Sequence, residues 1–304
     1  MTYFIQYAID AVSLGALFAT AALGIGLIFG VMRLINFAYG EYITWGAYAL
    51  VVPSAAPVAH ELIGAWPTPI LVATIVALVM GLALITERVA FRPLRETEPA
   101  TLLVASFAVS YLLQNLVLLV EGGRPKSVDL WPSLTTPVAI MGARVPLVDL
   151  ITMGTCLSLL GLVATFLKYL RFGIELRAAA ENFRMARFLG IKADRVIAIA
   201  FAISGILAAT ASLLLVVKTG VLDYRMGVPL VLVAFVGTVI GGMGSMLGAA
   251  LGGFLMGVAT VVLQALLPAE LRGARDAFLF GFVILMLLVR PQGIIQAKSE
   301  QRRV

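Results

Sequence analysis

Nine apolar runs divide this chain, and their lengths limit what it can become. A helix needs ~20 residues to cross the ~30 Å hydrocarbon core of a bilayer. The runs at about 5–31, 69–89, 100–120, 148–169, 196–217 and 246–267 reach that length. Those at 37–52, 228–240 and 277–289 are shorter, and the first of these is interrupted by polar residues. Hydrophobic residues make up 61% of the chain and charged residues 12%, against roughly 45–50% and 25% in soluble domains. The expected architecture is all-α: a polytopic membrane protein of 8–9 transmembrane helices in one domain over 1–304, with membrane lipid around it.

Charge then orients the runs. Arg88, Arg92 and Arg95 follow the third run, and a basic stretch at about 170–195 follows the fifth, so both are expected on the cytoplasmic side. Arg290, Lys298, Arg302 and Arg303 place the C-terminus there too. The proline-rich interval 121–147 and the interval 53–67, which has no Lys or Arg, read as outside loops. No Lys or Arg precedes Arg33, so the first run lacks the basic start of a cleaved signal peptide and is expected to stay. The net charge of +6 is no nucleic-acid signal, because the basic residues cluster at the ends of apolar runs. A single cysteine, Cys156, and a single histidine, His60, exclude an intrachain disulfide and a Cys/His metal cage, and no cofactor is expected.

This alternation forces 228–267 to leave the outside and return to it. Either a hairpin, giving nine crossings, or a re-entrant element, giving eight, satisfies it. The break between the arms is rich in glycine: Gly237, Gly241, Gly242 and Gly244. Glycines four apart let helices pack closely in lipid, and that accounts for most of them. Irregular backbone at membrane depth, however, is tolerated only where it is buried in protein or lines a cavity, and broken helices often mark a transport site. The expected translocation path therefore takes in Gly237, Gly241, Gly242 and Gly244 with the few polar residues of the runs: Asn36, Glu41, Gln114 and Asn115. Ser106, Ser110 and Gln114 fall on one helix face, and Glu41 either faces the interior or pairs with Arg33.

The stretch 170–195 is the longest polar interval that still has helical spacing. Leu176, Ala179, Phe183, Ala186 and Gly190 recur on one face, with Arg177, Glu181 and Arg184 on another. Gly173 can break the chain before this helix and Gly190 can stop it. An ordinary basic loop has the same charge, and that reading stays open. No chain of acidic groups and histidine crosses the runs, as a proton-coupled carrier needs, and no Ser/His or HExxH arrangement points to an intramembrane enzyme. The nearest approach to a phosphate-binding loop, EGGRPKS at 121–127, has Pro125 where the motif needs glycine. A basic amphipathic helix on a chain without its own ATPase points to a transporter driven by a separate one.

Four motifs carry a resemblance. RAAAENFRMARFLGIKADRVIAIAFAISGILAATA (177–211), LVAFVGTVIGGMGSMLGAALGGFLMG (232–257), LINFAYGEYITWGAY (34–48) and LVRPQGI (288–294) resemble, in order, branched-chain amino acid ABC-transporter permeases of the LivH type. The resemblance implies one transmembrane permease domain and one of two homologous membrane subunits of an importer. The implied partners are a LivM-like permease, two ATP-binding subunits of the LivG/LivF kind and a periplasmic binding protein, in a bacterial inner membrane. It makes 170–195 the coupling loop, with Arg177, Glu181, Asn182, Arg184, Ala186, Arg187 and Gly190 at or near the ATPase. Permeases for urea and short amides resemble the same family, so the substrate stays open between these and branched-chain amino acids; a secondary carrier or channel is the remaining alternative.

Overall fold

α1 (Thr2–Met32) is the axis around which the other helices pack. Its small residues, among them Gly15, Ala16, Ala19, Ala22 and Gly26, let neighbours approach from several sides, and it packs against α5, α8, α9 and α10. The computed structural model describes residues 2–54, 56–95, 97–140, 143–181, 183–290 and 293–295. After α1 come α2 (Tyr39–Tyr48), α3 (Thr68–Thr86), α4 (Pro99–Glu121), α5 (Leu147–Tyr169), α6 (Arg171–Glu181) and α7 (Phe183–Phe188). Then follow α8 (Ala193–Thr219), α9 (Gly227–Gly241), α10 (Met246–Leu266) and α11 (Arg275–Val289). Four short strands join them: β1 (Lys126–Ser127), β2 (Pro137–Ile140), β3 (Ala143–Pro146) and β4 (Val221–Leu222). The chain is an all-α polytopic membrane protein, with six helices long and apolar enough to cross a bilayer.

Where α1 is buried nearly all round, α3 buries one stripe: Leu71, Ile75, Val79 and Ala83, each one turn after the last. That spacing puts four apolar side chains on the face toward α8 and leaves the other faces apolar but exposed, as helix facing lipid or another subunit must be. Pro93, with no N–H to donate, lies just beyond α3; there the helix widens into a π turn (Glu87–Phe91) and tightens into a 3-10 turn (Arg92–Leu94).

Contacts define two ends. At one, the segments 49–66, 122–146 and 220–226 are knitted together: β1 pairs with β4, Val58 bridges to Ser127, and the Ala59 amide donates to the Ser127 carbonyl at 3.0 Å. Beneath them Lys126 is almost wholly buried, its Nζ 2.6 Å from Glu121 and 5.9 Å from the Tyr48 ring. Sequence reading had missed this layer, because strands of two residues carry no periodic signal. At the other end, Arg92 and Arg95 both pair with Asp194 at the start of α8, and Arg95 also pairs with Glu87. This end carries α6 and α7.

Among the described residues the chain passes between these ends nine times, in α1, α2, α3, α4, α5, α8, α9, α10 and α11. The segment 228–267 is thus a hairpin. α9 and α10 run antiparallel, with Gly237 against Gly252 and Gly253 and Gly241 against Gly248. Its turn lies at the basic end, where Met246 and Leu247 line a cavity of about 320 Å³ with Lys168 and Arg177. Three passes use short helices: α2 has 10 residues, and α9 and α11 have 15 each, about 15 and 22 Å at 1.5 Å per residue. The irregular backbone at 34–38 that leads into α2 is buried or half-buried, as the lack of water in a bilayer requires.

Candidate functional site

The irregular turn into α2 is built by its own polar side chains. Arg33, the last residue before it, has φ 56 and ends α1. Asn36 Oδ1 accepts from the Ala38 amide at 3.1 Å, an Asx turn that opens α2. Glu41 on the first turn of α2 is fully buried, and its Oε1 accepts the Ser110 hydroxyl at 3.1 Å. One turn earlier on α4, Ser106 donates to the Ile35 carbonyl at 3.1 Å. The two serines on one face of α4 thus hold this turn at both ends. Glu41 forms no ion pair with Arg33 among the described residues, so that alternative is corrected: the carboxylate goes to the bundle interior. Glu41 Oε2 is buried without a hydrogen-bond partner, while the Asn36 side chain also engages the Tyr42 hydroxyl, which is 2.5 Å from Thr86 Oγ1.

Opposite α4, α9 crosses α2 at glycine. The Gly227 amide donates to Thr44 Oγ1 at 3.2 Å, and a β-carbon on Gly227 would collide with the Gly40 carbonyl. Phe37 stacks on Phe107 at 4.2 Å between ring centroids and lies 5.7 Å from Phe235. Gln114 and Asn115 lie further along α4, half-buried; Asn115 Nδ2 donates to the Tyr111 carbonyl of its own helix at 2.7 Å. Gly237 and Gly241 pack against α10, while Gly242 and Gly244 make the turn, with φ of 109 and 96 that favour glycine. The chain end caps this break: the Ile294 amide donates to the Ile240 carbonyl at 2.8 Å and the Ile295 amide to Gly241 at 3.0 Å.

At the basic end, the predicted apolar face of 170–195 turns inward. Leu176, Ala179 and Ala186 are buried within this chain, and Ala180 lies across from Gly30 of α1. Gly173 does not break the helix; it sits in the first turn of α6, where a β-carbon would strike the Phe166 carbonyl. Gly190 does end α7, with φ +84 and the Ile191 amide donating back to the Ala186 carbonyl at 3.1 Å. Arg177, Arg187 and Gly190 are exposed. Glu181 ends α6 and Arg184 lies in α7, while Asn182 lies outside the described residues. Sequence reading missed the exposed tip of this element: Met185, Phe188 and Leu189, the last two 79% and 78% exposed. Their signal was present, since Phe188 and Leu189 fall off the buried face that Leu176, Ala179 and Ala186 define.

A second group was also missed. Asp149 of α5, Lys218 of α8 and Ser13 of α1 are hydrogen-bonded to one another near the end opposite α6 and α7. Asp149 and Lys218 each sit near the end of their run, where a lone charge reads as a boundary marker rather than one half of a pair.

Long apolar helices around a buried polar turn, shorter apolar helices among them and amphipathic helices at one end are the features of a multi-pass membrane permease. The chain belongs to the family described as branched-chain amino acid transport system / permease component, whose model matches residues 7–289. It is 35% identical over 303 residues to the high-affinity branched-chain amino acid transport system permease protein LivH of Salmonella typhimurium, covering 96% of each chain. It is 34% identical to LivH of Escherichia coli K12 over the same length, and 32% identical over 308 residues to BraD of Pseudomonas aeruginosa, again at 96% of each. Among solved structures, PsaBC from Streptococcus pneumoniae, determined in complex with Fab, aligns over 97% of this chain and 94% of its own with a TM-score of 0.50 and 12% identity, a likeness of fold alone. The chain is a permease subunit of the inner membrane; its relatives are permease subunits and not enzymes.

Proposed function

We propose that this chain is one of two homologous membrane subunits of an ATP-driven importer of branched-chain amino acids. The observation that carries the reading is the 35% identity to LivH across 96% of both chains. Two separate ATP-binding subunits drive the importer, a LivM-like permease completes the membrane part, and a periplasmic binding protein delivers the solute. The basic end lies in the cytoplasm, and the C-terminus with it, because it gathers Arg88, Arg92, Arg95, Arg177 and Arg187. The layer formed by 49–66, 122–146 and 220–226 then faces the periplasm, and its cross-linking offers the binding protein one firm surface.

α6 and α7 are the coupling element. α6 rests on α1, α5 and α8, and α7 on α6, so a push on them reaches the axis of the bundle. The outer contact is assigned to Phe188 and Leu189, with Arg177, Glu181, Arg184, Arg187 and Gly190 around it; exposed apolar anchors give the affinity and rim charges tune encounter. The path runs beside α2 and the α9–α10 hairpin, past Asn36 and Glu41, and the hairpin glycines set how closely its walls approach. The test is reconstitution with the four partners in proteoliposomes. ATP-dependent uptake of leucine is expected; uptake of urea in its place, or leucine uptake that ignores ATP, overturns the reading.

A further inference from the structure

α5 and α10 both pack on α1, but their backbones stay apart, and a groove of about 320 Å³ runs between them. Leu160, Val163, Ala164 and Leu167 line one wall, the i, i+3, i+4, i+7 stripe of a single face of α5. Met246 and Ala250 of α10 line the other wall, and Leu23 of α1 is the floor. Two cations border this apolar trough: Lys168, the next residue of the α5 stripe, and Arg177 of α6. Arg177 Nη2 donates to the Lys168 carbonyl at 3.3 Å, and among the described residues neither side chain pairs with a carboxylate. Arg171, at the start of α6, does have such a partner, Glu175 at 3.4 Å.

An apolar trough with unpaired cations at one end has the polarity of a phospholipid in reverse. Leu160 and Lys168 are eight residues apart, about 12 Å along α5, so the trough takes the upper part of an acyl chain while the phosphate lies at the cations. Tyr169 is exposed, with Lys168 Nζ 5.1 Å from its ring, and aromatic and basic residues collect at headgroup depth. Leu157 and Leu162 of α5 and Leu251 of α10 flank the groove as exposed apolar side chains, as lipid-facing surface does. A helix of another subunit would fill the trough but bring nothing to the two cations, whereas basic pockets between membrane helices draw anionic headgroups. We infer that this groove holds one anionic phospholipid of the cytoplasmic leaflet, its phosphate at Lys168 and Arg177 and an acyl chain along α5. The choice of leaflet rests on the orientation proposed above. Arg177 belongs to α6 and Met246 opens α10, so the lipid links the coupling element to the hairpin, which it otherwise scarcely touches.

The experiment reads lipid retention, which needs neither ATP nor solute, so its failure is separate from a failure of the transport reading. The assembled importer is purified in detergent and given dioleoylphosphatidylglycerol or dioleoylphosphatidylcholine, and the lipid it keeps is measured by native mass spectrometry. The parent should keep phosphatidylglycerol in preference to phosphatidylcholine. Lys168→Gln with Arg177→Gln should reduce that preference about tenfold or more, the scale set by two basic residues at an anionic headgroup. Arg171→Gln removes a charge from the same end of the molecule but outside the groove, and should leave the preference unchanged. Ala164 is exposed, so Ala164→Trp should fold, block the trough and lower the retention of both lipids alike. Three results overturn the site: a parent with no preference, a loss in Arg171→Gln as large as that from a groove cation, or unchanged retention in Ala164→Trp. A crosslink from Ala164→Cys to the second permease in the assembled importer gives the groove to protein and overturns it as well. Reversed labelling of the two ends would move the lipid to the other leaflet and leave these results as they are.

Discussion

Lys218 Nζ lies 2.6 Å from Asp149 Oδ1, and Ser13 Oγ lies 2.8 Å from each, so three helices meet at one ion pair inside the apolar bundle. Asp149 is 7% and Lys218 20% exposed at the side chain, so neither charge is well solvated. Removing one partner of a buried pair costs about 3–5 kcal/mol, because the other is left uncompensated, whereas replacing both with apolar groups is often neutral. Lys218→Met and Asp149→Leu should each lower the unfolding midpoint in detergent, with Asp149→Leu at the lower end of that range because the Lys218 it strands is the more exposed of the two, and the double variant should recover most of the loss. Additive losses would mean that the two residues do not act as a pair.

The hairpin makes a sharper distinction between glycines. Gly241 has no room for a β-carbon beside the Gly248 carbonyl, while Gly281 of α11 has nothing within 4 Å of where one would stand. Gly241→Ala should cost about 1–3 kcal/mol by overpacking, and Gly281→Ala should be neutral or stabilise by up to about 1 kcal/mol through helix propensity. Thermal unfolding of the two variants side by side reads the difference. In uptake assays Gly241→Leu should insert in the membrane and transport nothing.

The exposed tip of α7 predicts the order of effects on ATPase docking. Burying a large apolar side chain is worth roughly 1.5–3 kcal/mol, so Phe188→Ser with Leu189→Ser should abolish copurification of the ATP-binding subunit. Arg187→Ala should change it within about 0.2–1 kcal/mol, the usual worth of an exposed charge pair. Gly190→Ala should reduce transport through backbone strain of about 1–2 kcal/mol at its positive φ, since no neighbour lies within 4 Å to clash. Equal effects of the apolar and charged changes would remove the anchoring role from Phe188 and Leu189.

Orientation is open to labelling. The one cysteine, Cys156, is buried and contributes no background. Arg124→Cys in the layered end should react with an impermeant maleimide from the periplasmic side, and Arg187→Cys only after the membrane is opened. Lys126, in the same outer segment, is a poor reporter because it is almost fully enclosed beside Glu121. Reversed labelling at either position would sink the orientation.

Some of this was decided by sequence alone. Runs of about twenty apolar residues can only be membrane helices in a chain with so few charges, and α1, α3, α4, α5, α8 and α10 lie where those runs lie. The spacing of Gly237 and Gly241 with Gly248 and Gly252 already implied close helix contact, and the four motifs already implied the family. Tertiary structure decided the rest, because periodicity gives a helix its face but not its neighbour. Leu176 and Ala186 formed a legible stripe, yet only packing shows that it turns in toward this chain and leaves Phe188 and Leu189 outside. Glu41 could have met Arg33 eight positions away; it meets Ser110, 69 positions away, because α4 lies against α2. Asp149 and Lys218 are equally distant in sequence, at 69 positions, and they pair because α5 and α8 bring them together where water is scarce and an unpaired charge is too costly to keep.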